Sequence, residues 1–501
     1  MLSVIVFLPA VAATALLLVP ASAPRRLFCA VWIAVGVADL ALVLVAWAGL
    51  TPGGFRFEQR APWIPSAGIS YHVGVDGLSL PLVALTAVLF LAAAVFSVRE
   101  TRRPKAYAAL FLGLQSVCLG LFVALDLILF FLFFDLSIVL MYFLIAGWGH
   151  GERARAAALK FFLYTFLGSL ALLLGFILLH LAAEPKTFDI VELTAADPLA
   201  GGGPYAALTL LAIGVGLAVK TPTVPFHTWL PPAHTEAPAA GSAILAGVLL
   251  KMGTYGFVRI AMPVLPDTWR QYAGVVIVVG VLSVVHGALV ALAQTDLKRM
   301  IAYTSVNHMG YVLLGVGAAG VLAGTDEQAR QLATTGALTQ MVSHGLITGA
   351  LFLLAGVLHD RGGTYDMGAY SGLAARTPAF AGVFAVAAFA SLGLPGFAGF
   401  IAEFQVFTGA LGAAPVPTAI AVTGVLLTAA LFLVALQRLF LGPLRTPDAP
   451  GAPRPFADLR PSETWSIVPL LALATLIGIL PRVLLDVVEP ASRTLVELVG
   501  R

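Results

Sequence analysis

Charge is what this chain has least of: Asp, Glu, Lys and Arg together make up 11% of its 501 residues, against 60% hydrophobic. Soluble domains carry about 25% charged residues, so that class is excluded. Cysteine is almost absent too. Cys29 and Cys118 lie in separate apolar segments, with no CxxC pair and no histidine cluster at metal-ligand spacing, so neither a redox centre nor a metal site is expected. No Gly-rich phosphate loop stands next to a soluble αβ pattern, which places any nucleotide chemistry elsewhere. The longest polar stretches, at about 183 to 204 and 443 to 462, are Pro-, Gly- and Ala-rich loops and not domains. The small net charge of +3 gives no reason to expect a nucleic-acid partner.

What fills the chain is long apolar runs, and its mean hydropathy is +0.97. A spanning helix needs about 20 mostly apolar residues. Fourteen such segments are read, near 2–20, 28–50, 78–98, 107–125, 127–147, 158–182, 205–230, 240–264, 272–293, 299–322, 332–358, 378–410, 416–442 and 463–484. The expectation is an all-α, multi-pass membrane protein, one membrane domain over residues 1–501, with the lipid bilayer as its surroundings. The first segment lacks a basic region before its apolar run and is read as a retained helix, not a signal peptide. With its N-terminus outside, the cytoplasmic loops collect most of the basic residues, from Arg25, Arg26 and Arg99 through Lys298, Arg361 and Arg454 to Arg460. The opposite loops hold scattered acids such as Glu58, Asp189, Glu192 and Asp267. That asymmetry satisfies the positive-inside rule and puts both termini on the outer side.

Two of these segments are interrupted. The seventh reads LAIGVGLAVKTPTVPFHTWLPPAH, with Pro222 and Pro225 after Lys220, and the twelfth reads AFASLGLPGFAGFIAEF, with Gly393, Pro395, Gly396 and Gly399 before Glu403. Proline removes a backbone donor and clashes with the preceding turn, so both helices should unwind mid-membrane. Unwound backbone is tolerated there only under a cover of protein or water. Breaks five segments apart, each beside a charge, suggest two inverted five-helix repeats, 107–264 and 272–442. Two coincidental proline kinks are the plainer alternative.

Ionisable residues recur near mid-span: Asp135 in segment 5, Lys220 in 7, Lys251 in 8, His308 in 10, His344 in 11 and Glu403 in 12. An ammonium at the bilayer centre costs at least ~2.5 to 3.5 kcal/mol on insertion scales, so each lysine points to function. Together the six can form a proton relay, in which a carboxylate approaching Lys220 switches its proton affinity and the imidazoles pass protons onward. Each group also has a structural alternative. A lysine near a helix end snorkels, a membrane histidine can simply bond a neighbouring helix, and Asp135 can be a fixed partner of a lysine. Among other polar residues, Asp296 reads as a helix N-cap, Asp76 and Asp126 as outer-interface groups, His227 and His234 as gating or packing groups, and His286 as packing.

The strings AVKTPTVPFHTWLPPAHTEAPAAGSAILAGVLLKMGTYGFVR and AQTDLKRMIAYTSVNHMGY resemble the antiporter-like membrane subunits of respiratory complex I, the proton-pumping NADH:quinone oxidoreductase. The resemblance runs from about residue 60, in PWIPSAGISYHVGVDGLSL, to about residue 440. Within that family the related L and N chains typically place a lysine on helix 12, so Glu403 in its LPG…EF setting resembles the M chain, as does MYFLIAGWGH at the end of helix 5. A long lateral helix beyond residue 501 is not expected. The resemblance implies that Asp135 and Lys220 form a coupling pair, that Lys251 is the central relay, that His308 and His344 connect it, and that Glu403 is the terminal site. It also implies neighbouring L and N chains as partners, protons as cargo, the inner cell membrane as location, and no cofactor on this chain, with NADH, FMN, iron–sulfur clusters and quinone in partner subunits. The chain departs from the family pattern at Asp135, where glutamate is usual, at Leu140, where proline is usual, and at Pro232, where aspartate is usual. A subunit of a multisubunit Mrp-like cation/proton antiporter or of a related membrane-bound hydrogenase is the alternative of shared fold. A transport-dead spacer is the alternative of different class, and the intact row of charges speaks against it.

Overall fold

A computed structural model gives the architecture and describes residues 1–51, 53–321, 326–447 and 456–500. Apolar runs form the helices α1 (Leu2–Leu18), α2 (Arg25–Ala48), α3 (Leu80–Phe96), α4 (Pro104–Val123), α5 (Leu127–Trp148) and α6 (Ala154–Ala182). After the short α7 (Ile190–Ala196), the first interrupted segment appears as α8 (Pro204–Lys220) and α9 (Leu230–Glu236). A continuous rod over Ala239–Val264 follows, made of α10 (Ala239–Ile244), α11 (Leu250–Gly256) and α12 (Met262–Val264) joined by π turns at Leu245–Leu249 and Phe257–Ala261. Then come α13 (Pro266–Leu292), α14 (Leu297–Val321) and α15 (Glu327–Gly362). The second interrupted segment forms α16 (Pro378–Ser391) and α17 (Ala398–Ala413), and α18 (Pro415–Phe440), α19 (Pro461–Ile479) and α20 (Arg482–Gly500) complete the chain. Among the described residues, ten helical rods are long and apolar enough to cross a membrane, and α1, α8, α16 and α17 are shorter apolar helices.

Both breaks fall where proline and glycine predict them. Helix α8 stops at Lys220 and α-helix resumes at Leu230, while α16 stops at Ser391 and resumes at Ala398. Gly393 adopts φ 75°, a left-handed conformation that favours glycine. Between unbroken helices, small residues permit close approach: a Cβ on Gly280 would stand 2.9 Å from the Gly310 carbonyl oxygen of α14. Such seams are how helices associate where lipid supplies no hydrophobic drive.

Two rods are covered all round, Ala239–Val264 and the 36-residue α15. A helix apolar on every side belongs inside a bundle. Their few polar side chains must therefore find each other, and this is what positions the site.

Three features go beyond the segments read from the sequence. Residues 56–75, for which no element was read, form an antiparallel hairpin, β1 (Arg56–Ile64) paired with β2 (Ile69–Val75). The last segment, read at 463–484, divides: α19 stops at Ile479 and the chain turns into α20, whose Leu484, Val488, Ser492, Leu495 and Val499 recur at helical spacing and are buried. Lys298 and Arg361 are not free loop charges. Lys298 is fully buried with its Nζ on the Ala237 carbonyl, and Arg361 is clamped on both Glu463 carboxylate oxygens at 2.7 and 2.6 Å. Arg454, counted with the basic loops, and residue 322, at the end of the tenth segment, lie outside the described residues.

Candidate functional site

The π turn at Leu245–Leu249 puts the Lys251 ammonium over a freed backbone carbonyl, and Lys251 Nζ bonds the Ala246 oxygen at 2.6 Å. Inserted π turns recur at functional positions because they leave such groups available. On its other side, Nζ meets His344 Nδ1 of α15 at 2.5 Å. Lys251 is fully buried, which removes the snorkelling alternative.

From there the row continues. The His344 and His308 rings lie 5.3 Å apart, nearly perpendicular at 75°. His308 Nε2 of α14 is 3.9 Å from Glu403 Oε1 of α17. A small cavity of about 10 Å³ joins these three, lined also by Gln340, Ser343, Thr348 and Ser391. That volume is near the threshold for one water molecule. His308 Nδ1, His344 Nε2, Gln340 Oε1, Ser343 Oγ, Thr348 Oγ1 and Ser391 Oγ are all buried without a protein hydrogen-bond partner. The polar lining thus suits a water that carries a proton across the gaps of the row.

The other end of the row is built differently. Lys220, 1% exposed, donates to Ser137 Oγ at 2.8 Å and lies 4.6 Å above the Phe134 ring. Among the described residues no carboxylate is within ion-pair distance of it. Asp135 is two residues from Ser137 on α5, about 200° around the helix, and its carboxylate faces Ser169 of α6. Asp135 is only half-buried, and its Oδ1 has no hydrogen-bond partner. The expected pair is therefore in one neighbourhood but not in contact, with Ser137 standing where the acid was expected.

Several polar groups outside the six enter the picture. His227 Nε2, in the unwound segment after Lys220, meets His286 Nε2 of α13 at 3.0 Å, so His286 is not a packing residue alone. His234 of α9 is fully buried against the Phe352 ring at 4.4 Å, with neither ring nitrogen partnered. Lys298 lies 4.8 Å from the Tyr365 ring, which stacks on His359 at 4.4 Å, and His359 meets His150 at 4.7 Å. In the sequence, Lys298 carried the topology signal of a loop charge, and that hid its burial. Asp296 does cap its helix, accepting from Arg299 N at 2.8 Å.

The opposite face is locked by fixed charge. Asp126 caps α5 through Ile128 N at 2.9 Å and Leu129 N at 3.2 Å, and holds Ser70 N of the hairpin at 2.9 Å. His72 of β2 bridges Asp189 at 2.6 Å and Glu58 at 2.8 Å. Burial pulls the His72 pKa down, but the two carboxylates outweigh it and hold it above its ordinary value. Asp189 is held below the ordinary carboxylate range, because His72, the Glu192 backbone and Arg60 together outweigh its burial. Arg259, one helical turn beyond Tyr255, bonds the Tyr255 hydroxyl at 2.9 Å and Asp76 at 2.5 Å beside a cleft of about 420 Å³. That cleft is larger than the cavity at Glu403 but contains none of the six row residues.

A family model described as NADH:quinone oxidoreductase/Mrp antiporter, transmembrane, matches residues 124–428. NADH-quinone oxidoreductase subunit M of Rhodobacter capsulatus is 39% identical over 512 residues, covering 99% of this chain and 96% of the relative. The subunit M of Rickettsia prowazekii (strain Madrid E) is 39% identical over 436 residues, covering 86% and 85%. Among solved structures, respiratory complex I from Thermus thermophilus with bound NADH superposes with a TM-score of 0.88 at 30% identity, with both chains fully covered. The Mrp complex from Dietzia sp. DQ12-45-1b shares the fold, with a TM-score of 0.87 at 24% identity over 100% of this chain and 99% of its own.

Proposed function

The chain belongs to the family of NADH:quinone oxidoreductase and Mrp antiporter transmembrane subunits, and on that premise we infer that it is the M-type, proton-translocating membrane subunit of an NADH:quinone oxidoreductase. It is a multi-pass membrane protein whose enzyme is a proton-translocating complex. Electrons pass from NADH to quinone in partner subunits, and this chain moves protons in response. NADH, FMN, iron–sulfur clusters and quinone belong to those partners, and none is assigned here. The neighbours are other membrane subunits, the L and N chains among them, in the inner cell membrane with both termini on the outer side. The inverted halves 107–264 and 272–442 belong to the same reading, supported by the two breaks, each beside a charge.

The observation that carries the reading is the buried succession from Lys251 through His344 and His308 to Glu403, with Lys251 Nζ 2.5 Å from His344 Nδ1, the two imidazole ring centroids 5.3 Å apart and His308 Nε2 3.9 Å from Glu403 Oε1. A spacer has no use for four mid-membrane ionisable groups brought together at a desolvation cost. Asp135 and Lys220 are assigned to coupling, Lys251 to the central relay, His344 and His308 to transfer, and Glu403 to the terminal site. A shift of α5 that brings Asp135 toward Lys220 raises the proton affinity of the lysine, and its withdrawal lets the proton go. The antiporter alternative keeps the fold but has no redox partner.

The test is Lys220→Ala in the intact complex reconstituted in vesicles, with pumping and NADH-driven electron transfer measured together. Pumping is expected to vanish while the complex still assembles. A normal proton-to-electron ratio in that variant sinks the relay.

A further inference from the structure

One carboxyl in the spans has no place in the relay. Asp39 lies near the middle of α2 and is 0% exposed, and its Oδ2 accepts from Nε2 of Gln115, a fully buried residue of α4, at 2.7 Å. Two atoms of this pair are left over. Asp39 Oδ1 and Gln115 Oε1 are both buried without a protein hydrogen-bond partner, and with the acid ionised both can only accept.

No cation answers the carboxyl. Helix α2 packs against α1, α3 and α4, of which α1 and α3 contain no basic residue. The basic residue of α4 is Lys105 in its first turn, and its Nζ is committed to the Leu17 and Val19 carbonyls at 2.8 and 2.6 Å. Arg25 and Arg26 open α2 itself, about 20 Å along the axis from Asp39. A neighbouring subunit cannot supply the charge either, because this chain alone already covers Asp39 completely.

An isolated carboxylate in so apolar a place takes up a proton instead of staying charged. Once protonated it has an O–H to give, and the unbonded acceptor on its own partner is Gln115 Oε1. A carboxylic acid and a primary amide match as two planar groups, amide N–H to one carboxyl oxygen and carboxyl O–H to the amide oxygen. One proton thus satisfies both leftover atoms. Turning the amide over exchanges Nε2 and Oε1 but restores the same ring.

The surroundings hold the two helices in register. One turn before Asp39, Gly36 brings α2 against α3, where an added Cβ would stand 3.2 Å from Leu91 Cδ1. The Trp32 ring lies 4.9 Å from that of Phe111, one turn before Gln115 on α4. Next to Gln115, Ser116 donates to the Val6 carbonyl of α1 at 2.5 Å.

We propose that Asp39 is a proton-binding site that keeps its proton, a neutral carboxylic acid closed in a two-bond ring with Gln115 that clasps α2 to α4 apart from the relay. The inference goes beyond the transport reading and does not depend on it. Its test uses the intact complex. The infrared spectrum of the wild type minus that of Asp39→Asn should contain a carboxylic-acid C=O band and no carboxylate band, unchanged from about pH 5 to about pH 9, where an ordinary aspartate of pKa about 3.9 is ionised. Asp39→Asn puts an N–H donor where the O–H was and keeps both bonds, so assembly and pumping should match the parent. Asp39→Leu strands the Gln115 amide, and the amount of assembled chain in the membrane should fall several-fold. Adding Gln115→Leu to it should recover most of that loss, because removing both partners of a buried hydrogen bond is nearly neutral. A carboxylate band, or a carboxyl band that titrates within that range, overturns the proposal. So does slowed pumping in Asp39→Asn, full abundance of Asp39→Leu, or a double variant no better than Asp39→Leu alone.

Discussion

The two ends of the buried row differ in kind. From Lys251 to Glu403 four buried ionisable groups follow one another, by one hydrogen bond and then across short gaps beside a cavity of about 10 Å³. At the other end Lys220 is satisfied by Ser137 and an aromatic face, while Asp135 stands aside with an unpartnered oxygen. Under the relay we propose, a connected end passes a proton whenever one is offered and a disconnected end only when something moves, which assigns control to α5 and α8 and conduction to the helices from Lys251 to Glu403.

The sharpest way to break that comparison is at the connected end. Lys251→Met removes the group that bonds both Ala246 and His344, and pumping should fall by about a hundredfold or more, measured as proton uptake per electron. If Lys251→Met pumps like the parent, the connected end is packing and not a path. The second effect tests the break itself. A Cβ on Gly393 would come within 2.6 Å of Glu403 Oε2, at a backbone φ of 75° that L side chains rarely adopt. Gly393→Ala should therefore displace Glu403 against a strain of about 1–3 kcal/mol and slow pumping by about tenfold. A structure of the variant with Glu403 unmoved, together with full pumping, would remove Glu403 from the terminal site.

The disconnected end predicts tolerance instead. Asp135→Glu lengthens the side chain by one methylene toward a lysine it does not now touch, and pumping should persist. A dead Asp135→Glu complex would mean that the carboxylate is fixed by fit rather than moved. The smallest effect belongs to the β1–β2 hairpin, away from both ends. His72, with its pKa raised, contributes stability that is full below about pH 6.5 and lost as pH rises through the raised value. Asp189, with its pKa lowered, contributes stability present above its unfolded value of about 3.9 and lost as pH falls through the lowered one. Protection factors of the β1–β2 amides, with the intrinsic pH dependence of exchange divided out, should be greatest between those limits and fall on either side. A flat protection profile would mean that the ion pairs add nothing to the hairpin.

The sequence shows its breaks plainly, because Pro222, Pro225, Gly393 and Gly396 act on their own local backbone. It hides the hairpin, whose alternation is blurred by Pro62, Pro65 and the charged residues of β1. It hides α20 for a related reason, since Arg482, Asp486, Glu489, Arg493 and Glu497 leave no continuous apolar run to find.

By itself, then, the sequence determined the solvent and the repertoire. The scarcity of charge dictates a bilayer, the run lengths dictate spans, and every ionisable residue left in those spans is marked by its desolvation cost. Only the tertiary structure decided the partners. Lys251 and His344 are 93 positions apart, Lys220 and Ser137 are 83, and His227 and His286 are 59. No local rule reaches across those separations. The physical reason is that burial forces each polar group to find whichever donor or acceptor the packed helices bring to it, and helix packing is set by side-chain shape along whole rods.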